Sequence, residues 1–265
     1  MGLDNVILIF GGLGIFIYGM KLLSESLETA AGDSLKKILS SLTGNRFLGV
    51  FTGFVLTSII QSSSATTVMV VSFVNAGLLN LVQAISVIMG ANIGTTVTGW
   101  LVNLTNVKVN MTIVAYFAII AGIVSVFSKN KKISVWGYCL LGFGFIFVGL
   151  DVLKNSVPKP TADNSNFLYS FFQIFPKDNY FILIFFVLFG ALLTMVFQSS
   201  SVTMAFTIMI LNQGYINIEI AAAMVLGENI GTTITANLAA FAGNKMAKKA
   251  AFSHTLFNVF GVLWM

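Results

Sequence analysis

The chain has 265 residues, 57% hydrophobic and 9% charged, with a formal net charge of +5 and a mean hydropathy of +0.92. Soluble domains carry about 25% charged residues, so this composition excludes an ordinary soluble domain and points to a lipid bilayer. The lysines stand between apolar runs, where membrane orientation explains them and a nucleic-acid partner is not needed; the single cysteine, Cys139, excludes internal disulfides and cysteine metal clusters and reads as packing.

Apolar runs occupy about 5–23, 47–75, 78–104, 110–128, 133–153, 179–212, 216–241 and 249–265. None alternates with period two as an outer-membrane barrel requires, and their lengths suit spans of about 20 residues, so the predicted fold is an all-α polytopic membrane protein. The first run, Val6 to Leu23, lacks a basic flank and is too long and glycine-rich for a cleaved leader; it reads as a transmembrane helix. Residues 24–46, with Glu25, Glu28, Asp33, Lys36, Lys37 and Arg46, read as an amphipathic interfacial helix, and Asn155 to Asn166, with Pro158 and Pro160, as a loop. The run ending at Met265 has no cap or polar tail, and the gene product is expected to continue beyond it.

Within these runs one pattern occurs twice. Gly53, Thr57, Gln61-Ser62-Ser63-Ser64 and Thr66, followed by Gly90-Ala91-Asn92-Ile93-Gly94-Thr95-Thr96, return 137 residues later as Gly190, Thr194, Gln198-Ser199-Ser200-Ser201 and Thr203, followed by Gly227-Glu228-Asn229-Ile230-Gly231-Thr232-Thr233. Gly12, Gly14, Gly19 and Leu23 likewise match Gly142, Gly144, Gly149 and Leu153, 130 residues on. The chain therefore divides near Asn130 into two interlocked repeats, 1–130 and 131–265, with a pseudo-symmetric polar site expected where they meet at the membrane centre. The four runs that carry the motifs exceed one simple span, and each is expected to break at its motif into half-helices of about 12 residues, or about 18 Å.

If the Gln-Ser-Ser-Ser segments are re-entrant hairpins, each repeat crosses three times and the second is inverted. If every segment spans, the topology differs, and the distribution of lysine and arginine does not choose between the two. Under both, the 36–46 loop is cytoplasmic and the N-terminus outside.

Serine and threonine are costly in hydrocarbon unless their oxygens are satisfied, and they are good helix N-caps. Each break is thus expected to start a half-helix whose free N–H groups and positive dipole end attract an anion. Hydroxyls, the carbonyls of Gln61, Gln198, Asn92 and Asn229, and freed backbone carbonyls suit a hard monovalent cation such as sodium. Small residues also serve helix packing, and for Gly53 and Gly190 that is the favoured reading, but the duplication of a whole motif argues for a site. Glu228 replaces the Ala91 of the first copy; it binds a cation or proton, or it lines a water-filled vestibule, and both readings stay open. His254, with no Cys, Asp or Glu nearby in sequence, reads as a packed polar contact. No Walker-type loop, Ser-His-Asp context or cysteine pair supports an enzyme.

The paired Gln-Ser-Ser-Ser and Gly-x-Asn-Ile-Gly-Thr-Thr motifs, with His254-Thr255-Leu256-Phe257-Asn258, resemble the type II sodium-dependent phosphate cotransporters and their bacterial relatives over essentially the whole chain. The resemblance implies an inverted-repeat fold with re-entrant hairpins in a cell membrane, and sodium-coupled transport of inorganic phosphate by alternating access. Its binding residues would be Gln61, Ser62, Ser63, Ser64, Thr66, Gln198, Ser199, Ser200, Ser201 and Thr203, with Asn92, Thr95, Thr96, Asn229, Thr232 and Thr233 adding contacts and Glu228 a secondary candidate. Na+ would be the coupling ion, and no other cofactor is implied. Bacterial members often carry a PhoU-like phosphate-uptake-regulator domain that this sequence lacks, and a homo-oligomer is compatible with the reading. Transport of a related oxyanion, phosphate export, a passive channel and a non-transporting scaffold are the alternatives.

Overall fold

The computed structural model describes residues 3–31, 45–104, 111–156, 171–172, 175 and 180–265. Within them the elements are helical: α1 (Leu3–Ala31), α2 (Arg46–Ile60), α3 (Ser63–Asn75), α4 (Leu81–Asn103), α5 (Met111–Val126), α6 (Lys131–Ser156), α7 (Tyr180–Phe197), α8 (Ser200–Asn212), α9 (Ile218–Ala240) and α10 (Lys245–Trp264). The all-helical expectation therefore holds for the described residues. Asp4–Ala30, Leu81–Asn103 and Lys131–Ser156 are long and apolar enough to cross a membrane, while α2, α3, α5 and α8 are apolar but shorter. Large apolar side chains such as Phe47, Trp100, Phe127 and Phe181 are exposed, as suits a surface bathed in lipid.

Three expectations need correction. Residues 24–31 do not begin a separate interfacial helix: α1 continues to Ala31, with Lys21 and Glu25 paired one turn apart at 3.7 Å. The remainder of that predicted helix, 32–44, lies outside the described residues, and Arg46 opens α2 behind its N-cap Asn45. Asn155 and Ser156 close α6 rather than starting a loop, and 157–166 again lie outside the described residues.

The third correction concerns Gly-x-Asn-Ile-Gly-Thr-Thr, which does not interrupt its helix in either copy; α4 and α9 run unbroken for 23 residues each. Glycine and hydroxyl residues suggested a break, but both are used inside the helix. Thr95 and Thr232 donate to the carbonyls of Ala91 and Glu228 at 3.1 and 2.8 Å, satisfying their own hydroxyls without freeing the backbone. Gly90 and Gly94 let α4 lie directly against α2: a Cβ on Gly90 would strike Val50 O, and one on Gly94 would lie 2.7 Å from Phe54 O.

Two compact units divide the chain, and each draws on residues from both sides of position 130. The first comprises Met1–Ala30, Gly99–Leu188 and Met204–Val225. Inside it α1 and α6 pack through glycine, where a Cβ on Gly12 would sit 3.1 Å from Leu153 N, on Gly19 2.6 Å from Ile146 N, and on Gly149 2.5 Å from Phe16 N. Numbers rise along α1 as they fall along α6, so these helices are antiparallel. Gly12 and Gly19 match Gly142 and Gly149 in sequence, so the contact is self-complementary, as across a two-fold axis.

The second unit comprises Ala31–Thr98, Phe189–Thr203 and Leu226–Met265. Here α2 and α4 run parallel, because Gly49 meets Ser86, Gly53 meets Val87 and Ala91, and Gly94 meets Phe54 and Thr57. The intervening α3 must therefore return toward the start of α2, making α2 and α3 a helical hairpin folded at Gln61-Ser62. Its base is held where Asn75 Oδ1 accepts from Asn244 N at 2.7 Å and Asn244 Nδ2 donates to Asn75 O at 2.9 Å, with Asn244 also capping α10. An apolar seam of Leu56, Ile60, Val70, Val71, Val74, Val87 and Ile88 meets the alanines 236, 240, 247, 250 and 251. In lipid such a seam stabilises through close van der Waals contact, which alanine permits.

Candidate functional site

Every candidate binding residue named from the sequence lies in the second unit. Each hairpin turn begins with a glutamine in the left-handed region, Gln61 at φ 56° and Gln198 at φ 51°, and among the described residues no other non-glycine residue has positive φ. This conformation costs a residue with a Cβ about 1–2 kcal/mol, so glycine would be the cheaper choice at both places. A glutamine retained twice against that cost marks a position used for its side chain.

After each glutamine a serine caps the returning helix. Ser62 Oγ accepts from Ala65 N at 3.1 Å and Ser199 Oγ from Val202 N at 3.4 Å. A hydroxyl bridge then staples the hairpin: Thr57 Oγ1 donates to Thr66 Oγ1 at 3.1 Å, and Thr194 Oγ1 to Thr203 Oγ1 at the same distance. In one straight helix residues nine apart would be separated by about 13.5 Å, so each bridge requires the chain to fold back. Thr66 and Thr203 are spoken for by these bridges and by donation to Ser62 O and Ser199 O.

The second and third serines differ from the first. Among the described residues, the hydroxyls of Ser63, Ser64, Ser200 and Ser201 make no hydrogen bond within the protein, although Ser63, Ser200 and Ser201 are buried. They head α3 and α8, where the first N–H groups of a helix have no internal acceptor and the dipole is positive. The basic residues described in this unit are Arg46 and Lys245, Lys248 and Lys249 at the starts of α2 and α10. Arg46 stands a full helix, about 22 Å, from Gln61 along α2. Among the described residues the turns thus offer hydroxyls, amides and helix N-termini without a fixed side-chain cation, a set suited to an oxyanion accompanied by a hard cation.

The Gly-x-Asn-Ile-Gly-Thr-Thr residues present a different picture from the one expected. Thr95, Thr96, Thr232 and Thr233 donate to carbonyls of their own helices, so only their lone pairs remain for a ligand. The Asn92 carboxamide is held at both ends by α10: Oδ1 lies 3.1 Å from His254 Nε2, and Nδ2 donates to Asn258 Oδ1 at 3.1 Å. Asn229 has no such partner among the described residues. Glu228 is fully buried, and it is the only acidic residue described in this unit. His254 is the packed polar contact expected from sequence, also fully buried. Among the described residues no three His, Cys, Asp or Glu side chains gather as a metal cluster.

Four residues do more than the sequence reading assigned them: Thr57 and Thr194 stood in the repeated pattern without a role, Asn258 stood only in the motif that carries the resemblance, and Thr98 was not singled out. Thr98 Oγ1 donates to Gln61 Oε1 at 3.1 Å, Asn258 holds Asn92, and Thr57 with Thr194 bridges the hairpins. Thr98 recurs 137 residues on as Thr235, a signal that carrying the repeat comparison two residues past Thr96 and Thr233 exposes.

A family profile described as Na+/Pi-cotransporter matches residues 15–155 and 184–263, covering both hairpins, α4, α9 and most of α10. The chain belongs to this family. Its membership and its apolar helices mark it as a membrane protein of phosphate transport. Over 250 residues it is 33% identical to the Bacillus subtilis protein YqeW, spanning 93% of this chain and 77% of that one. It is 24% identical over 256 residues to an Escherichia coli protein named "Putative inorganic phosphate export protein YjbB", covering 96% of this chain but 45% of the relative. A 108-residue stretch, 40% of this chain and 16% of the relative, is 38% identical to human sodium-dependent phosphate transport protein 2B. No solved structure matches the chain.

Within this Na+/Pi-cotransporter fold the polar turns remain the most unusual feature. Among the described residues, their unpaired serine hydroxyls and the Asn229 carboxamide are less committed to the protein than Asn92 or the motif threonines.

Proposed function

We propose that the chain transports inorganic phosphate coupled to Na+, by alternating access, with both ligands held at the two Gln-Ser-Ser-Ser turns. The observation that carries this reading is the pair of equivalent hairpin turns within one compact unit, each presenting at a helix N-terminus two serine hydroxyls without partners among the described residues. Helix N-termini and hydroxyls donate to phosphate oxygens, and glutamine, asparagine and threonine oxygens ligate sodium, which offsets the charge of the anion. Asn92 enters as a support, whereas Asn229, Thr95, Thr96, Thr232, Thr233 and Glu228 remain candidates for ligand contact. No cofactor beyond the coupling ion enters the scheme.

Both legs of the first hairpin and the returning leg of the second, 13 to 15 residues or about 20 Å each in α2, α3 and α8, support re-entrant elements reaching only partway through a bilayer, whereas the outgoing leg α7 has 18 residues, about 27 Å. The antiparallel contact of α1 with its sequence counterpart α6 supports inversion of repeats 1–130 and 131–265. The N-terminus is assigned to the outside of the cell membrane by the positive-inside argument.

Uptake of labelled phosphate into proteoliposomes tests the proposal. An inward Na+ gradient should drive accumulation in the unmodified protein, and Gln61→Ala combined with Gln198→Ala should abolish it. Flux indifferent to sodium or to that double change rules the reading out. The name of the Escherichia coli relative favours one variation, outward phosphate movement. Vesicles preloaded with phosphate, given an outward Na+ gradient, distinguish a reversible symporter from a one-way exporter. Saturable counterflow separates either from a passive channel.

A further inference from the structure

The two motif asparagines share the Gly-x-Asn-Ile-Gly-Thr-Thr pattern but not their bonding. Asn92 Nδ2 donates to Asn258 Oδ1 at 3.1 Å, and Asn258 Nδ2 donates to the His254 carbonyl at 3.0 Å. With its nitrogen so directed, Asn92 must turn its oxygen toward His254 Nε2, 3.1 Å away. A carboxamide oxygen only accepts, so Nε2 carries the proton, and His254 Nδ1 is a lone pair buried without a hydrogen-bond partner. Every donor in this chain of three side chains is directed by the next, and reversing one amide would set donor against donor. The result is a clamp from α10 onto the middle of α4, built from buried His254 and Asn258.

Among the described residues nothing equivalent acts on the second copy. The positions 137 residues before His254 and Asn258 are Phe117 and Ala121, which offer no side-chain hydrogen bond. Asn229 is only partly buried, and its carboxamide makes no hydrogen bond among the described residues. The glutamines follow suit: Gln61 accepts from Thr98 and donates through Nε2 to Ser58 O, whereas Gln198 is exposed and makes no side-chain hydrogen bond among the described residues.

We propose that His254 and Asn258 are positioning residues that fix Asn92 as framework, leaving Asn229 as the motif asparagine that exchanges hydrogen bonds or coordination with the transported ions. This rests on the transport reading above and assigns the two halves of its site unequal roles. A fixed amide keeps α4 and the first turn in place, and a free amide can gain contacts only when a ligand arrives. Ligand affinity should therefore track Asn229, while turnover tracks the clamp.

The test is Na+-driven phosphate uptake by the full chain in proteoliposomes, with KM and Vmax measured separately. Asn229→Ala should raise KM for phosphate or Na+ about tenfold. Asn92→Ala and His254→Ala should instead lower Vmax, each by a similar factor, with the double variant no worse than either single one. His254→Gln, which retains an N–H donor of similar reach, should recover at least half the lost rate. The proposal is overturned if Asn92→Ala raises KM as Asn229→Ala does, if the Asn92 and His254 effects multiply, or if glutamine rescues no better than alanine. Should the unmodified protein show no Na+-dependent uptake, it is the transport reading that falls. Thermal unfolding in detergent then decides the clamp by the same double-variant cycle, non-additive shifts upholding it and additive ones removing it.

Discussion

The two hairpin turns share a backbone and differ in what holds their side chains. Their glutamines have φ within 5° of one another, at 56° and 51°, and both threonine bridges measure 3.1 Å. Yet Gln61 is buried and tied to Thr98, while Gln198 is exposed. Thr235, the counterpart of Thr98, turns its hydroxyl to Thr232 O at 2.9 Å instead. Local sequence thus dictates the turn, the cap and the staple, because these involve residues within nine positions. Side-chain commitments are set by whatever packs alongside, and there duplication has not been kept. A symmetric motif supplies the oxygens, and asymmetric neighbours decide which of them are free.

The strongest way to break this comparison is to remove the hydroxyls the turns have in common. Ser63→Ala with Ser64→Ala, and separately Ser200→Ala with Ser201→Ala, each delete two donors to a charged ligand, worth about 1.5–3 kcal/mol apiece. At about 1.4 kcal/mol per decade, either pair should cut Na+-dependent phosphate uptake at least about 100-fold while leaving the unfolding temperature near that of the parent. A loss confined to one pair would show that only one turn holds phosphate.

Next in size is the contrast between the glutamines. Gln61→Ala deprives the buried Thr98 hydroxyl of its acceptor and should cost about 1–3 kcal/mol of stability as well as activity. Gln198→Ala should lower activity with a stability change within about 0.5 kcal/mol, as at other exposed sites. Thermal unfolding in detergent, run beside uptake, reads both quantities. Equal destabilisation by the two changes would show that the exposure of Gln198 does not describe the resting protein.

What could be read from the sequence divides along the same line. Gln61 through Thr66 were legible as a turn because capping serines and interrupted apolar runs act locally, and the helices α3 and α8 begin where those serines predict. The break expected at Gly90 to Thr96 was a misreading of the same residue types. Glycine there serves contact with α2, a tertiary matter, and threonine back-bonding satisfies hydroxyls that would otherwise require an opened helix. His254 was legible as a packed polar residue, but its partner Asn92, 162 positions earlier, was not. No local rule joins two amides and an imidazole across such a separation.

Glu228 offers a smaller and sharper test, since it is the one charged departure inside the repeated motif. It lies three residues before Gly231, on the helix face where a Cβ at Gly231 would be 2.5 Å from Ala191 O and 2.8 Å from Thr194 Cβ, and so on the side of α9 that meets the second hairpin. Glu228→Gln keeps the shape and removes the charge. If the carboxylate assists the coupling cation, half-saturation by Na+ should shift upward about tenfold, equivalent to about 1.4 kcal/mol, with phosphate KM changing less than about threefold. An unchanged Na+ response would assign Glu228 to structure and leave hydroxyls and amides as the cation's ligands.

The smallest expected difference isolates a single hydroxyl in each copy. Thr98→Val strips Gln61 Oε1 of its donor inside the buried turn and should cost about 1 kcal/mol, which for a chain of this size lowers the unfolding midpoint by roughly 2–4 °C. Thr235→Val removes only a back-bond to Thr232 O, a carbonyl placed to accept the ordinary helical bond of α9. Because such back-bonding contributes little or slightly bends a helix, the expected shift is near zero. Combining Thr98→Val with Gln61→Ala should cost no more than Gln61→Ala alone, since both sever one contact. If Thr98→Val and Thr235→Val instead lower the midpoint equally, the neighbours of the two turns are equivalent in solution, and the division into a fixed and an exchanging half loses its structural basis.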